Sequence, residues 1–259
     1  ETTFSDPLVD CRDSKARLRQ DKLDTDADRK FVCSNCGSTK WTDPRPFNLM
    51  FRTTIGAVSA DDDPTALAYL RPETAQGIFI NFKNVLDTSR RKLPFGIAQI
   101  GKAFRHDVTQ GNFLFRTREF EQMEIEYFVN PPDAGRAHQE WIDGFHSWIN
   151  SIGISNANLK DYEQSKQELA HYSERTVDIL YRFFPEREDE AKRWDELMGI
   201  ANRTDFDLRV HSKKPEDSEG KRINPDSTED LSYFDTATNE RFYPYIIEPS
   251  IGVNRTLLA

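Results

Sequence analysis

The stretch from Gly96 to Val129 constrains this chain more than any other. Gly96–Asp107 and Asn112–Phe128 both read as β-patterned runs, and Val108–Gly111 between them has turn chemistry. An antiparallel hairpin is predicted. Strand side chains alternate between faces. On the second strand, one face collects Arg116, Arg118, Phe120, Gln122, Glu124 and Glu126; on the first, one face collects Gln99, Gly101, Ala103, Arg105 and Asp107. A core-facing surface is not built this way. Guanidinium forks grip phosphate oxygens bidentately, where a lysine offers a point charge. A Phe among charged residues is a stacking platform for a flat base, and a carboxylate farther along the same face can hold an ammonium. The pattern predicts a surface on which a nucleotide and an amine-bearing molecule lie end to end. The competing reading is the salt-bridged outer face of a two-sided sheet.

At 259 residues the chain is long enough for one large domain or two small ones with a sizeable core. Its 31% charged and 37% apolar residues describe a well-solvated protein rather than a disordered one. No apolar run approaches the ~20 residues of a membrane span, and no signal peptide is visible at Glu1, so a cytoplasmic protein is expected. A net charge of −9 argues against a general nucleic-acid binder. The local clusters Arg90-Arg91-Lys92 and Lys213-Lys214 read as solvated surface.

Residues 1–46 are polar and turn-rich, and 47–259 carry the remaining pattern. From Phe47 to Ala60 the chain is apolar and β-like, followed by an acidic turn, Asp61–Pro64, and a strand, Leu67–Leu70. A helix is expected to begin at Arg71-Pro72-Glu73, where Pro loses no partner at the first helical position, with Ile78, Phe82, Val85 and Leu86 on its buried face. Helices are also predicted over Gly135–Ile152, with Trp141, Phe145 and Trp148 at spacings of four and three, and over Tyr162–Phe183. His211–Leu231, charged and Pro-containing, is expected to be a mobile surface insertion. Residues near Arg255 look helical up to Ala259, which suggests a fragment of a longer protein. Of the three cysteines, Cys33 and Cys36 lie in Cys-Ser-Asn-Cys-Gly, the form of a zinc knuckle, with Cys11 a candidate third ligand and no fourth evident. The alternative is an ordinary reduced turn.

Arg105-His106-Asp107 followed by Phe115-Arg116-Thr117-Arg118-Glu119-Phe120 resembles motif 2 of class II aminoacyl-tRNA synthetases. Ile247-Glu248-Pro249-Ser250-Ile251-Gly252-Val253-Asn254-Arg255 resembles their motif 3. Within that class, Tyr69–Gly77, Glu119–Glu124, Gly199–Asp205 and Glu248–Ser250 are similar to the dimeric glycyl-tRNA synthetases. Four separated motifs in order are far more specific than one. The resemblance covers about Phe4 to Ala259 and implies an α/β fold of the α+β type, an antiparallel sheet flanked by helices, with 47–259 as the class II catalytic domain and 1–46 as a segment inserted in or attached to it.

It also implies roles. Arg105 and Arg255 would be catalytic, with Arg105 on the α-phosphate of ATP. His106, Asp107, Phe115, Arg116, Thr117, Arg118 and Glu119 would line the nucleotide, with Phe120 stacked on adenine. Glu196 and Leu197 would lie beside the phosphates, Glu196 as a Mg²⁺ contact. Gly252, Val253 and Asn254 would complete this side. Arg19, Glu73, Phe120, Glu121, Gln122, Met123, Glu124, Glu248, Pro249, Ser250, Ile251 and Gly252 would surround glycine. The implied reaction joins glycine to ATP as glycyl-adenylate with loss of pyrophosphate, then passes glycine to tRNA, in a homodimer. Crowding Glu73, Glu124 and Glu248 should raise the pKa of at least one.

Two motifs depart from the family pattern: Arg105-His106-Asp107 stands where the family usually has Arg-Asn-Glu, with Asp107 one methylene shorter than the Glu, and Ser14 stands where bacterial members often have the second cysteine of a CxxC, in Cys11-Arg12-Asp13-Ser14. No motif 1 and no anticodon-binding domain is seen. A synthetase for another amino acid, a non-catalytic synthetase-like binding protein and a zinc-knuckle nucleic-acid module are the rivals. The acidic trio opposes the first, and the presence of Arg105 and Arg255 opposes the second. The CxxC alone does not support the third.

Overall fold

A computed structural model describes residues 4–26, 28–56, 65–108, 111 and 113–259. The chain divides into two compact units, Glu1–Glu73 with Lys102–Phe120, and Thr74–Gly101 with Glu121–Ala259. The first unit is built from short strands. β1 (Ser5–Asp10) pairs antiparallel with β2 (Arg17–Arg19). β3 (Asp24–Thr25) pairs with β4 (Phe31–Val32), and β5 (Arg45–Asn48) adds to β1 on the side away from β2. β6 (Arg52–Thr54) pairs with β7 (Leu67–Tyr69), which is the strand expected at Leu67–Leu70. The predicted turn Asp61–Pro64 lies outside the described residues.

The second unit opens with α1 (Ala75–Ser89), whose buried Ala75, Ile78, Phe79, Phe82 and Leu86 recur at helical spacing. The helix starts after Pro72, not at it. The carbonyls of Arg71 and Pro72 accept bonds from the Phe104 N–H at 2.9 Å and Arg105 Nε at 3.0 Å, so they are unavailable to a helical ladder. Arg90 closes the helix in the left-handed conformation (φ 49°), its N–H bonded to the Leu86 carbonyl.

Then come β8 (Phe95–Phe104), β9 (Glu119–Val129) and α2 (Ala134–Ser151). α2 lies where a helix was expected, but Ile142, Phe145 and Ile149 form its core face, and Trp148 is exposed. Two strands, β10 (Leu159–Glu163) and β11 (Arg175–Tyr181), occupy the span predicted as a helix over Tyr162–Phe183. Thr176, Val177 and Ile179 are β-branched and buried, a residue type that favours a strand. β12 (Asp195–Asn202), α3 (Phe206–His211), the hairpin β13 (Tyr233–Asp235) with β14 (Glu240–Phe242), β15 (Tyr245–Gly252) and α4 (Val253–Leu258) complete the chain. The main sheet has the order β10-β11-β12-β15-β9-β8 and is antiparallel at every pair whose register is resolved.

Adjacent residues of one strand feed opposite faces of this sheet. Ile247 and Val129 pack with α2, while Ile246 and Phe128 pack with α1, Leu208 and Leu231. His211–Leu231 is not a detached insertion. Ser212 and Leu231 are buried, Lys213 N–H bonds to the Glu229 carbonyl at 2.7 Å, and the Arg222 guanidinium reaches the carbonyls of Lys213, Asn224 and Ser227. Among the described residues, no helix is long and apolar enough to cross a membrane.

Phe128 packs with tilted rings against Phe82 and Phe95 at ring-centre distances of 4.6 and 5.2 Å. Phe128→Ala is expected to cost about 3–5 kcal/mol in urea unfolding, because a fully buried ring leaves a cavity that strands cannot close.

Candidate functional site

Only part of the predicted hairpin is strand. β9 starts at Glu119, and a turn of 3₁₀ helix spans Phe113–Phe115, so Arg116 and Arg118 precede the alternating run. Thr109 and Gln110 of the predicted turn lie outside the described residues. Within β9, Gln122, Glu124 and Glu126 are buried alternately with half-buried Met123, Ile125 and Tyr127. The polar face is therefore the enclosed one.

In the first unit, Arg105 continues the strand pairing through its N–H to the Arg118 carbonyl at 2.9 Å. Its guanidinium lies 3.9 Å from Glu73 Oε2 and 5.5 Å from the rings of both Phe4 and Phe120, and remains partly exposed. The His106 ring sits between Phe47 and Phe51 at 5.0 and 4.9 Å. Asp107 lies 3.7 Å from Arg116. Arg19 is held by Asp6 at 2.5 Å and Asp21 at 2.7 Å. Burial works against its charge, but Asp21, Asp6 and Asp107 together hold its pKa above the usual value. Thr117 Oγ1 donates to the Glu119 carbonyl at 2.6 Å, and Lys102 pairs with Glu119. Phe115 is buried, while Arg118 is exposed.

The same unit gathers the cysteines. Sγ of Cys11, Cys33 and Cys36 all lie within 4.8 Å of one another, with Cys11 and Cys36 3.7 Å apart. Zn–S bonds of ~2.3 Å in a tetrahedron require an S–S edge of ~3.8 Å. The Gly37 N–H bonds to the Cys33 carbonyl at 2.7 Å with Gly37 at φ 72°, the tight turn a knuckle needs. Ser14 Oγ, where a fourth thiol was missed in the sequence, lies 3.4 Å from Cys33 Sγ. Hydrogen bonds from Ser14 pull the Cys11 thiol down to about 6. Three clustered thiols are donors that suit zinc, and they supply three of the four ligands of a closed site.

In the second unit, register assembles the site. β15 runs beside β9 with Ser250 opposite Glu124 and Gly252 opposite Gln122. Gln122 Nε2 donates to Ser250 Oγ at 3.0 Å. Glu124 accepts the Thr74 N–H at 3.1 Å and also the Thr74 hydroxyl. Glu248 accepts from Arg203 Nη1 at 2.6 Å, and Arg203 also forks onto Asp207 at 2.7 and 2.9 Å, with its guanidinium 3.8 Å from the Tyr172 ring centre. Ile247 pairs with Tyr127 and Ser250 with Glu124, which sets Glu248 across from Glu126. One carboxylate oxygen each of Glu124, Glu126 and Glu248 lie within 4.8 Å of one another.

Glu126, outside the predicted trio, is a carboxyl that this site raises well above its usual range. Burial is the main cause, with Glu248 next, and Arg203 only partly offsets them. Burial opposes the Arg203 charge too, but Glu248 and Asp207 outweigh it.

Alternation also divides the predicted glycine set. Glu248, Ser250, Gln122 and Glu124 share this face, whereas Ile251, Met123 and the nucleotide-side Leu197 place their side chains in the α2 core. Pro249 is buried as well, and Glu121 is exposed. Asn254 Oδ1 accepts the Glu121 N–H at 3.1 Å. Arg255 donates to the Glu196 carbonyl and lies 3.8 Å from Asp195. Asp178, near Glu196, is pushed up to about 6 by burial, with Glu196 adding to it. The hard carboxylate oxygens of Glu196 are a donor type that Mg²⁺ accepts. The sequence reading gave no role to Glu126, Arg203, Asp207 or Thr74. The i,i+4 spacing of Arg203 and Asp207 was the available signal.

The sheet resembles that of Giardia lamblia prolyl-tRNA synthetase in complex with prolyl-adenylate, with a TM-score of 0.57 at 19% identity, over 81% of this chain and 36% of that one. That likeness is one of fold. A family model described as tRNA synthetase class II core domain (G, H, P, S and T) matches residues 57–259, and the chain belongs to this family. Glycine–tRNA ligases are among its relatives. That of Bifidobacterium longum is 48% identical over 99% of this chain and 51% of its own length. That of Thermobifida fusca is 50% identical over 98% and 54%, and that of Thermus thermophilus 56% over 85% and 42%. The chain spans about half the length of the curated relatives it matches.

Arg203→Leu should cost about 3–5 kcal/mol at neutral pH, because Asp207 and Glu248 are left as buried unpaired charges. Protonation relieves the cost of a buried unpaired carboxylate, so the deficit should shrink toward acidic pH. Urea unfolding of both proteins at neutral and mildly acidic pH measures this; a deficit independent of pH would contradict the assignment.

Proposed function

We propose that this chain is the adenylate-forming part of a glycine–tRNA ligase, an ATP-dependent enzyme that activates glycine and passes it to the 3′ end of tRNA. The observation that carries the reading is the buried acidic face of β9 and β15, supported by the glycine–tRNA ligase relatives. Glycine has no side chain to grip, and a missing methylene in a pocket is worth only ~1–3 kcal/mol. Selectivity then rests on steric exclusion and on tight capture of the ammonium. Glu124, Glu248 and Ser250 supply the acceptors. Gln122, bonded to Ser250, fixes that hydroxyl.

The glycine carboxylate attacks the α-phosphorus of ATP, the Pα–O bond to pyrophosphate breaks, and no side-chain nucleophile takes part. Arg105 holds the α-phosphate and Phe120 stacks on adenine. Arg255, steadied by the Glu196 carbonyl, meets the phosphates. The remaining residues carried over from the family motifs line nucleotide and glycine in the roles the resemblance gives them. Catalysis comes from positioning and from fixed positive charge where negative charge develops. Mg²⁺ bound with the nucleotide would neutralise phosphate charge, with Glu196 as its protein oxygen. A structural zinc on Cys11, Cys33 and Cys36, with Ser14 or water as fourth ligand, would staple the knuckle. A cytoplasmic homodimer completes the reading.

Glycine-dependent ATP–pyrophosphate exchange tests the proposal. It should occur with glycine and not alanine, and Arg105→Ala should abolish it while leaving the circular dichroism spectrum unchanged. Exchange with another amino acid, or undiminished exchange in Arg105→Ala, would sink it. Metal analysis should find about one zinc per chain, lost in Cys36→Ser; a metal-free protein of full thermal stability would remove the zinc.

A further inference from the structure

Glu126 is fully buried, and neither of its carboxylate oxygens has a hydrogen-bond partner. This is the costliest arrangement for an ionised carboxylate, since it has neither water nor a donor. Its surroundings make ionisation worse. Glu248 on β15 stands across from it, Glu124 lies two residues before it on its own strand, and Asp207 approaches from α3. The cation that acts on it, Arg203, is already bonded to both Asp207 and Glu248. Four acidic groups thus share one guanidinium.

The other carboxylates have donors that stabilise their ionised forms. Glu124 takes two bonds from Thr74, and Glu248 takes the Arg203 bond. One proton among the three clustered carboxyls relieves the repulsion, and Glu126 is the member with least reason to be charged. Fully buried and in one cluster with Glu124 and Glu248, it acts on a ligand through them.

We propose that Glu126 is a positioning residue of the amino-acid pocket: it is a neutral carboxylic acid in the free protein and releases its proton to solvent when a primary ammonium binds beside Glu124 and Glu248. This rests on the amine-binding reading above. An arriving ammonium supplies the positive charge that the cluster lacks, so the exchange is one ammonium in and one proton out, with the pocket's net charge unchanged. An amine-bearing ligand is favoured over a neutral one of the same size, because only a cation makes that exchange possible.

Two measurements on the intact protein separate this from the parent reading. In infrared difference spectra of the free protein at mildly alkaline pH, above the value of about 6 to which Asp178 is raised, wild type should show a carboxylic-acid band that Glu126→Gln lacks. Its absence overturns the proposal whether or not glycine binds. Calorimetry with glycine in two buffers of different ionisation enthalpy should then show release of about one proton per glycine in wild type, with none in Glu126→Gln and a flattened pH profile of the glycine KM there. Glycine binding without proton release, or equal release in Glu126→Gln, also overturns it. Failure of glycine to bind at all sinks the glycine reading, and the infrared band still decides the protonation of Glu126. If Glu126→Gln does not fold, the wild-type band must vanish on adding glycine, or the proposal falls.

Discussion

One guanidinium, that of Arg203, stands between Asp207 and Glu248 where Glu124 and Glu126 also close in, and all but Glu248 are buried to within a few per cent. In such surroundings a charge is tolerable only with a partner. The pairing dictates which elements must meet: the end of β12 brings Arg203, α3 brings Asp207, β15 brings Glu248 and β9 brings the remaining carboxyls. Thr74, at the head of α1, is drawn in because Glu124 needs donors. Its hydroxyl serves that carboxylate instead of capping its own helix. A core of apolar residues would be more forgiving. The polar cluster specifies one arrangement of four elements at a cost in stability, which is the usual sign of a site kept for binding.

Much of the fold was legible in the residues. The alternation of Gln122, Glu124 and Glu126 survives in the structure, and so does the β15 run with Glu248 and Ser250. Both are strands whose polar members share a face, and that period is visible in one dimension. α1 and α2 were legible for the same reason, through apolar residues at spacings of three and four. β11 was misread because Val177 and Ile179 lie in a short apolar run, and such runs fit either period until a partner strand fixes the answer. The onset of α1 was misplaced because the partners of the Arg71 and Pro72 carbonyls come from Phe104 and Arg105, thirty or so residues away.

The enclosed character of the acidic face was not legible. A row of charged side chains on one strand normally marks solvent, and nothing local in the sequence distinguishes a wet face from a covered one. Arg203 gave little away, since an arginine near a strand end is unremarkable until Asp207 and Glu248 are seen on either side of it. Ser14 is similar. In the sequence it is a missing thiol, whereas in space its hydroxyl lies against Cys33 and a backbone turn brings Cys11 to the knuckle.

Along β15 the even-numbered positions Glu248 and Ser250 face the polar cluster, and the odd-numbered Ile247 and Ile251 face the α2 core. The segment is therefore read with a parity, like a frame. Substitutions at odd positions are tuned by volume alone, while even positions are tuned by chemistry. A deletion of one residue upstream of Glu248 changes nothing in composition, yet it would exchange the two sets. Carboxylates would enter the apolar layer and isoleucines the acidic one. The strand can drift in sequence at fixed length far more readily than it can change length, and its turns, rather than its side chains, are where that constraint is enforced.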